Sequence, residues 1–338
     1  MEKAAVVILN WNGKDMMSRF LAGVVAHTRG GTVYVADNAS TDGSVEWLQE
    51  RFPDVKRVVL DHNYGFAGGY NQALSRIEAE YFVLLNSDVE IQSDWLTPLL
   101  EYMETHPEVA ACQPKIRSWH EPDRFEYAGA AGGYIDALGY PFCRGRIMGE
   151  VERDAHQYDS VAPVFWATGA ALMVRSRVWR EAGGLDARFF AHMEEIDFCW
   201  RLRSRGHGIV CVPSSVVFHV GGGTLPKENP RKTYLNFRNN LYMLYKNLPD
   251  ARLASVMRWR FGLDMLASLQ FLLGGKWGSF RAVWRAHADF RKQKAGFTPS
   301  RHENLSRTVI DPIPEQAPFS ILWAYYVRGL KRFSQLPW

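Results

Sequence analysis

Apolar and polar positions alternate along the first hundred residues as short branched runs followed by helical spacing. Ala4–Leu9 is a six-residue apolar run and Val33–Ala36 a second; Arg57–Leu60 is a short third and Tyr81–Leu85 (YFVLL) a fourth. Between them, Val45–Phe52 follows the start signal Thr41-Asp42-Gly43-Ser44 with helical periodicity, and Gly69–Ile77 reads as another helix. This β-α-β-α-β rhythm predicts a parallel sheet covered by helices, in which ligands sit off the carboxyl ends of the strands. Polar residues cluster at those ends: Asn10-Trp11-Asn12, Asp37-Asn38-Ala39-Ser40, His62-Asn63-Tyr64-Gly65 and Asn86-Ser87-Asp88. All four strands therefore discharge their polar residues at one rim.

The middle of the chain, about 110–230, is richer in glycine and aromatics. Ala128–Gly133 (AGAAGG) reads as a flexible stretch, Phe165–Val174 as a buried strand with a glycine break, and Met193–Arg203 as a helix. From residue 233 the pattern is helical, and Pro249 marks the edge of the main domain. The expected division is 1–248 for an α/β domain and 249–338 for a helical, basic region.

Composition narrows the function. With 22% charged residues and a net charge of +4 over 338 residues, the chain as a whole has no case as a nucleic-acid binder. The charge is instead local. Residues 251–338 carry 14 Lys and Arg against 5 Asp and Glu, net +9, leaving net −5 for residues 1–250. Cys112, Cys143, Cys199 and Cys211 are widely spaced without a C-x-x-C pair, as expected of free thiols in a reducing cytoplasm. The Ala4–Leu9 run is too short for a signal-peptide core, and the most apolar helical stretch, Met265–Gly275, has eleven residues where a span needs about 20. No membrane crossing is expected.

Five segments carry candidate chemistry. Asn86-Ser87-Asp88 places a carboxylate at the end of the most apolar strand, where it can hold a divalent cation or simply form a turn. Asp37 can accept from a nucleobase imide or ribose hydroxyl, or cap the following helix as an Asx-turn. Asn63–Asn71 (NYGFAGGYN) sets glycines where a strand passes into a helix, which aims a helix N-terminus at phosphate. Its pattern is neither G-x-G-x-x-G nor G-x-x-x-x-G-K-[ST], which removes the dinucleotide and P-loop readings. Glu194, Glu195 and Asp197 crowd three acids at a helix start; neighbours there point about 100° apart, so one of Glu194 and Glu195 faces a cleft. The alternative is that the helix dipole favours acids at that end. Finally, His219 leaves a Val-Val-Phe strand into Gly221-Gly222-Gly223 and can ligate metal or phosphate.

Taken in order, VVILNWNG, VADNASTDGS, NYGFAGGYNQAL, VLLNSDVE, ATGAALMVRSRVW, GGLDARFFAHMEEIDFCWRLRSRG and FHVGGG resemble family 2 inverting glycosyltransferases of the GT-A fold, especially bacterial rhamnosyltransferase-like members that build surface polysaccharides. The resemblance covers about residues 4–245. It implies a mostly parallel central sheet flanked by helices. It further implies that Asp37 binds the base of a nucleoside-diphosphate sugar, with Asn10 and Asn63 lining the same pocket. Asn86-Ser87-Asp88 would be the D-x-D-type motif, Asn86 contacting ribose and Asp88 holding Mg²⁺ or Mn²⁺ against the diphosphate. His219 would complete that site. Glu194-Glu195 matches the acidic pair that supplies the base, commonly Glu-Asp, with Glu195 the first assignment and Glu194 the second.

The donor class implied is dTDP-rhamnose or a UDP-hexose, and the acceptor a glycan or polyprenyl-diphosphate-linked glycan. Of the alternatives, a sugar-phosphate nucleotidyltransferase would need a glycine-rich Arg/Lys signature near the N-terminus, where VVILNWNG has none. A non-catalytic nucleotide- or glycan-binding protein has no use for Asp88 and an acidic pair. In the tail, Phe319, Leu322, Tyr326 and Leu330 fall at helical spacing with Arg328, Lys331 and Arg332 largely on another face. That suits an interfacial helix on anionic lipid, hence a cytoplasmic, peripheral location on the inner membrane face. The other reading is a helix packed on the catalytic domain or a second subunit.

Overall fold

A computed structural model describes residues 1–221 and 229–338. Strands β1 (Glu2–Asn10), β2 (Gly31–Asp37), β3 (Lys56–Val59) and β4 (Ala79–Leu85) alternate with helices α1 (Lys14–His27), α2 (Ser44–Arg51) and α3 (Gly65–Leu74). Next come β5 (Val89–Glu90), α4 (Leu96–Thr105) and β6 (Val109–Ser118). A small antiparallel sheet follows: β7 (Gly133–Ile135), β8 (Pro141–Cys143), β9 (Arg146–Ile147) and β10 (Glu150–Val151). The chain continues through β11 (Ala162–Pro163), β12 (Ala171–Arg175), α5 (Ser176–Glu181), α6 (Glu194–Ser204) and β13 (Gly208–His219). It ends in α7 (Pro230–Asn247), α8 (Asp250–Leu273), α9 (Trp277–Gln293) and α10 (Thr298–Ser306).

The large sheet has the order β11-β13-β6-β12-β4-β1-β2-β3, with β5 paired to β13. β3, β2, β1 and β4 are mutually parallel; β12 runs against β4 and β6, while β13 is parallel to β6. The sheet is thus mixed and mostly parallel, as the resemblance implies. β1 reads as a continuous apolar run because helices cover both faces of a parallel sheet, leaving Ala4, Ala5, Val6 and Val7 without solvent contact.

Three segments differ from the sequence expectation. α3 begins at Gly65 rather than Gly69. Low helix propensity is overridden there by close approach: a Cβ on Gly69 would lie 2.9 Å from the Leu9 side chain. Phe165–Val174 is not one strand, because Thr168 turns the chain. Its N–H donates to Gln113 Oε1 at 2.9 Å, and only Ala171–Arg175 joins the sheet. Nor is Ala128–Gly133 a flexible link: Ala130 and Ala131 are fully buried.

The terminal stretch also departs from the expected amphipathic helix. It makes one short π-helical segment at Trp323–Val327 and then turns at Gly329, whose φ is +68°. Phe333 and Trp338 then pack on Tyr134, with ring centroids 4.9 and 5.3 Å away. Phe319, Phe333 and Leu336 thus face the protein, while Trp323, Tyr326 and Val327 stay exposed. α8 is different. Only Val256, Arg260, Asp264 and Ser268 are buried along it, and Trp259, Leu266, Leu269 and Leu273 face outward. No helix among the described residues is long and apolar enough to cross a membrane.

Candidate active site

The rim of β1, β2 and β4 is assembled by hydrogen bonds between loops. Asn10 and Asp37 are in register on adjacent strands, and Asn10 Nδ2 donates to Asp37 Oδ2 at 2.9 Å and to Ser40 Oγ at 3.0 Å. Asp37 Oδ1 accepts from the Ser40 N–H, so the aspartate also forms the Asx-turn. Asn10 is fully buried and acts by positioning Asp37. Asn63 sits one layer further: its Oδ1 accepts from Asn38 Nδ2 at 3.0 Å and from the Gly65 N–H at 2.8 Å. Asn38, adjacent to Asp37, in turn donates to Gly65 O and accepts from the Tyr64 N–H.

Asn86, Asp88 and His219 form the second group. Pairing of β5 with β13 sets His219 opposite Val89, one residue from Asp88. His219 Nε2 then lies 3.1 Å from Asp88 Oδ1 and 3.3 Å from Asn86 Nδ2. Its other nitrogen, Nδ1, is 3.4 Å from Glu126 Oε2 but out of line for a hydrogen bond. Burial opposes charging of the imidazole, but the two flanking carboxylates outweigh it and raise the pKa to about 10. Burial works in the opposite sense on Asp88, where His219 prevails and holds the carboxyl below its usual range. Ser87 joins the two groups: a Cβ on Gly13 would lie 2.7 Å from Asn10 Oδ1 and 3.6 Å from Ser87 Oγ.

The donor set fits a divalent cation. Asp88 Oδ1 and His219 Nε2, once a cation displaces the imidazolium proton, are separated by about the distance of adjacent ligands on a hard cation with bonds of roughly 2.1 Å. Two carboxylates converging on one imidazole also leave negative charge for a cation to balance. Among the described residues no three His, Cys, Asp or Glu side chains converge as ligands, so the remaining positions would fall to phosphate oxygens and water. Of the motif around His219, Gly222, Gly223 and Thr224 lie outside the described residues.

The third group is the segment from Asp186 into α6. Glu194 is buried, and Glu195 lies against the turn after Thr168, 3.8 Å from where a Cβ on Gly169 would be. Ala170 in that turn accepts the Asn86 N–H at 3.0 Å. One turn therefore separates the paired glutamates from the Asn86–Asp88 group. Glu194 Oε2, Glu195 Oε2 and His192 Nε2 are all buried without a hydrogen-bond partner. An orphaned buried polar atom costs about 1–3 kcal/mol, so three in one segment mark a surface built to meet a ligand.

Burial raises both glutamate pKa values. The charge of Glu195 adds to the rise at Glu194, and backbone N–H groups at the start of α6 act against the rise at both. Burial pushes His192 down to about 4, leaving a neutral imidazole. The third acid, Asp197, is turned away from the rim and accepts from Lys246 Nζ at 2.7 Å, Arg201 Nε at 3.1 Å and Asn247 Nδ2 at 2.8 Å.

The N-terminus of α3, contrary to expectation, does not present its first amides to phosphate. Gly65 N–H is taken by Asn63, and the Phe66 and Ala67 N–H groups donate to Phe190 O at 2.7 and 3.2 Å. The helix start instead anchors the segment that carries the glutamates. Phe190, His192 and Met193 adopt φ of 67°, 72° and 72°, strained for residues with a Cβ. Asn239 of α7 holds that shape: its Nδ2 contacts Phe189 O at 2.9 Å and both Ala191 O and His192 O at 2.8 Å. Sequence reasoning missed Asn239 and Glu126. A buried Asn-Asn pair inside a helix, against propensity, was the available signal for the first; Glu126 offers none.

Comparisons with known proteins bear on the fold and the family. Residues 5–169 match the family described as Glycosyl transferase family 2. The chain is 29% identical over 233 residues to the N-acetylglucosaminyl-diphospho-decaprenol L-rhamnosyltransferase of Mycobacterium tuberculosis, covering 63% of this chain and 75% of that protein. It is 23% identical to the low-salt glycan biosynthesis hexosyltransferase Agl10 of Haloferax volcanii, covering 71% and 74%. Among solved structures, GalNAc-T7 with UDP, GalNAc and Mn²⁺ superposes with a TM-score of 0.57 at 14% identity, covering 74% of this chain and 49% of that one. S. aureus TarS 1–349 with UDP gives 0.52 at 16% identity, covering 90% and 88%. At these identities the solved structures establish the shared fold.

Proposed function

We propose that this chain, whose residues 5–169 match Glycosyl transferase family 2 and whose fold is that of GT-A glycosyltransferases, transfers a sugar, with inversion, from a nucleoside-diphosphate sugar to a hydroxyl of a lipid-linked glycan in surface polysaccharide synthesis. The observation that carries the reading is the placement of Glu195 one turn from the Asn86–Asp88–His219 group, with Asp37 held at the same rim. Asp37, positioned by Asn10 and neighboured by Asn38 and Asn63, receives the base. Asn86 and Ser87 face the ribose and diphosphate. Asp88 and His219 would hold Mg²⁺ or Mn²⁺, which when bound neutralises charge developing on the departing diphosphate.

Glu195 accepts the acceptor hydroxyl proton as that oxygen attacks the anomeric carbon and the bond to the diphosphate breaks. Attack from the face opposite the leaving group inverts the centre. Glu194, raised in pKa by burial and by the charge of Glu195, shares the pair's proton beside it. dTDP-rhamnose is the first donor to try, given the named activity of the Mycobacterium tuberculosis relative, with UDP-hexoses next. We assign residues 1–248 to the catalytic domain, and 249–338 to a helical, basic region that meets the inner membrane face, where α8 displays Trp259, Leu266, Leu269 and Leu273.

Thermal stabilisation by UDP, dTDP and GDP, each with and without Mn²⁺, tests the donor half. One nucleotide should stabilise the protein more with Mn²⁺ than without. Asp88→Ala should abolish the Mn²⁺-dependent part while unfolding normally without ligand. Stabilisation independent of Mn²⁺, or unchanged in Asp88→Ala, would remove Asp88 from the site.

A further inference from the structure

Beyond the donor rim, a second cavity of about 680 Å³ opens between α7, α9 and the turn at Ala187–Phe189. Its walls carry Arg188, Arg231, Arg238, Arg281 and Arg285 together with Tyr234, and among the described residues no carboxylate lines it. Nearby acids neutralise only part of this charge. Asp186 pairs with Arg188 at 2.6 Å and Asp289 with Arg285 at 3.5 Å. Among the described residues, Arg231, Arg238 and Arg281 have no ion-pair partner. Two of the guanidinium groups are fixed in advance: Arg188 also donates to Gly296 O and Ser300 Oγ, and Arg238 donates to Asn239 Oδ1 and Phe189 O. A concave site with excess guanidinium charge, part of it preorganised, has the chemistry of a phosphate or diphosphate receptor.

Its position specifies which diphosphate. Phe190 forms one wall of the cavity, and the same short segment runs on to Glu194 and Glu195. Five residues separate Phe190 from Glu195, so even a fully extended chain keeps them within roughly 18 Å. The opposite edge is apolar. Trp277 and Trp284 lie four residues before and three after Arg281, on the same face of α9, and are 62% and 51% exposed. Across the Gly274-Gly275 turn, α8 continues the exposed apolar surface with Leu266, Leu269 and Leu273.

We propose that this arginine-lined cavity binds the diphosphate of a prenyl-linked acceptor, the prenyl chain leaving along the α8–α9 hairpin while the glycan points past Phe190 to Glu195. The proposal rests on the transferase reading above and names its acceptor class. The arrangement lets one protein hold two diphosphates without confusing them: the donor's at Asp88 and His219 through a cation, the acceptor's at guanidinium groups without one.

That separation supplies the test, with full-length protein, EDTA and farnesyl diphosphate as probe. Arg231→Gln/Arg281→Gln should bind farnesyl diphosphate at least tenfold more weakly than the natural protein and retain its Mn²⁺-dependent nucleotide stabilisation. Asp88→Ala should show the converse. Equal farnesyl diphosphate binding by the arginine variant would overturn the proposal. So would inorganic pyrophosphate binding as tightly as farnesyl diphosphate, which would make the cavity a simple anion site. Loss of binding to phosphatidylglycerol vesicles with farnesyl diphosphate binding unchanged would assign the arginines to membrane headgroups and overturn it equally. If no nucleotide stabilises the natural protein with Mn²⁺, the transferase reading fails, whatever the farnesyl diphosphate result.

Discussion

Asn239→Ala separates positioning from stability. The side chain is fully buried and supplies contacts to three points of the glutamate-bearing segment, at Phe189, Ala191 and His192. At about 1 kcal/mol net for each hydrogen bond, its removal costs about 3 kcal/mol. Three residues there hold positive φ at roughly 1–2 kcal/mol each, so relaxation of the freed segment recovers part of that cost. For 338 residues the unfolding entropy is about 0.7 kcal/mol per degree, so 3 kcal/mol corresponds to a fall of roughly 4 °C in Tm. The effect on turnover should be larger, because a displacement of about 1 Å in the base costs on the order of 10²-fold. The control is Leu99→Ala, in the fully buried face of α4, which costs about 2–5 kcal/mol without touching the segment. Tm and kcat measured on both variants decide the matter. A Leu99→Ala protein that loses as much activity as Asn239→Ala at 25 °C would refute the positioning role.

Two other outcomes follow from the same geometry. Gly65→Ala should lower stability by at least about 2 kcal/mol in thermal unfolding, since φ is +72° and the new Cβ would meet Phe190 O at 2.8 Å, a backbone atom that the α3 amides hold in place. In the pH profile, kcat/KM should rise with pH along an acid limb that lies above the ordinary glutamate range, because burial raises Glu195 and only its ionised form accepts a proton. For stability the sign reverses: protonated Glu194 favours the fold below its unfolded pKa, and that contribution is lost as pH rises through the raised folded value. Glu194→Gln should therefore gain Tm relative to the natural protein more at pH 8 than at pH 5.

The rim was legible in the sequence because strand ends in a parallel sheet are adjacent whatever the packing behind them. Asn10, Asp37, Asn63 and Asp88 could be placed from four apolar runs alone. His219 could be suspected but not paired, since its contact with Asp88 depends on a two-residue strand, Val89–Glu90, too short to carry a periodic signal. The Asn63–Asn71 glycines suggest a phosphate cradle because loop propensity is the only term visible along the chain. The competing term is Phe190, more than a hundred residues away, whose carbonyl occupies the α3 amides. The tail misleads for a related reason: Phe319, Leu322, Tyr326 and Leu330 keep helical spacing, but Gly329 and the aromatic seat on Tyr134 and Phe142 outweigh it. Local pattern prevailed where one sheet buried it and failed where a distant partner competed.

The central claim is that Glu195 is the proton acceptor in a site whose donor contacts lie elsewhere on the rim. Glu195→Gln, compared with the natural protein in donor affinity by calorimetry and in turnover with a lipid-linked acceptor, tests it most directly. The account predicts turnover reduced about 10²- to 10⁴-fold with donor Kd unchanged within about twofold. Turnover retained within a few-fold, or lost only in proportion to weakened donor binding, would contradict it.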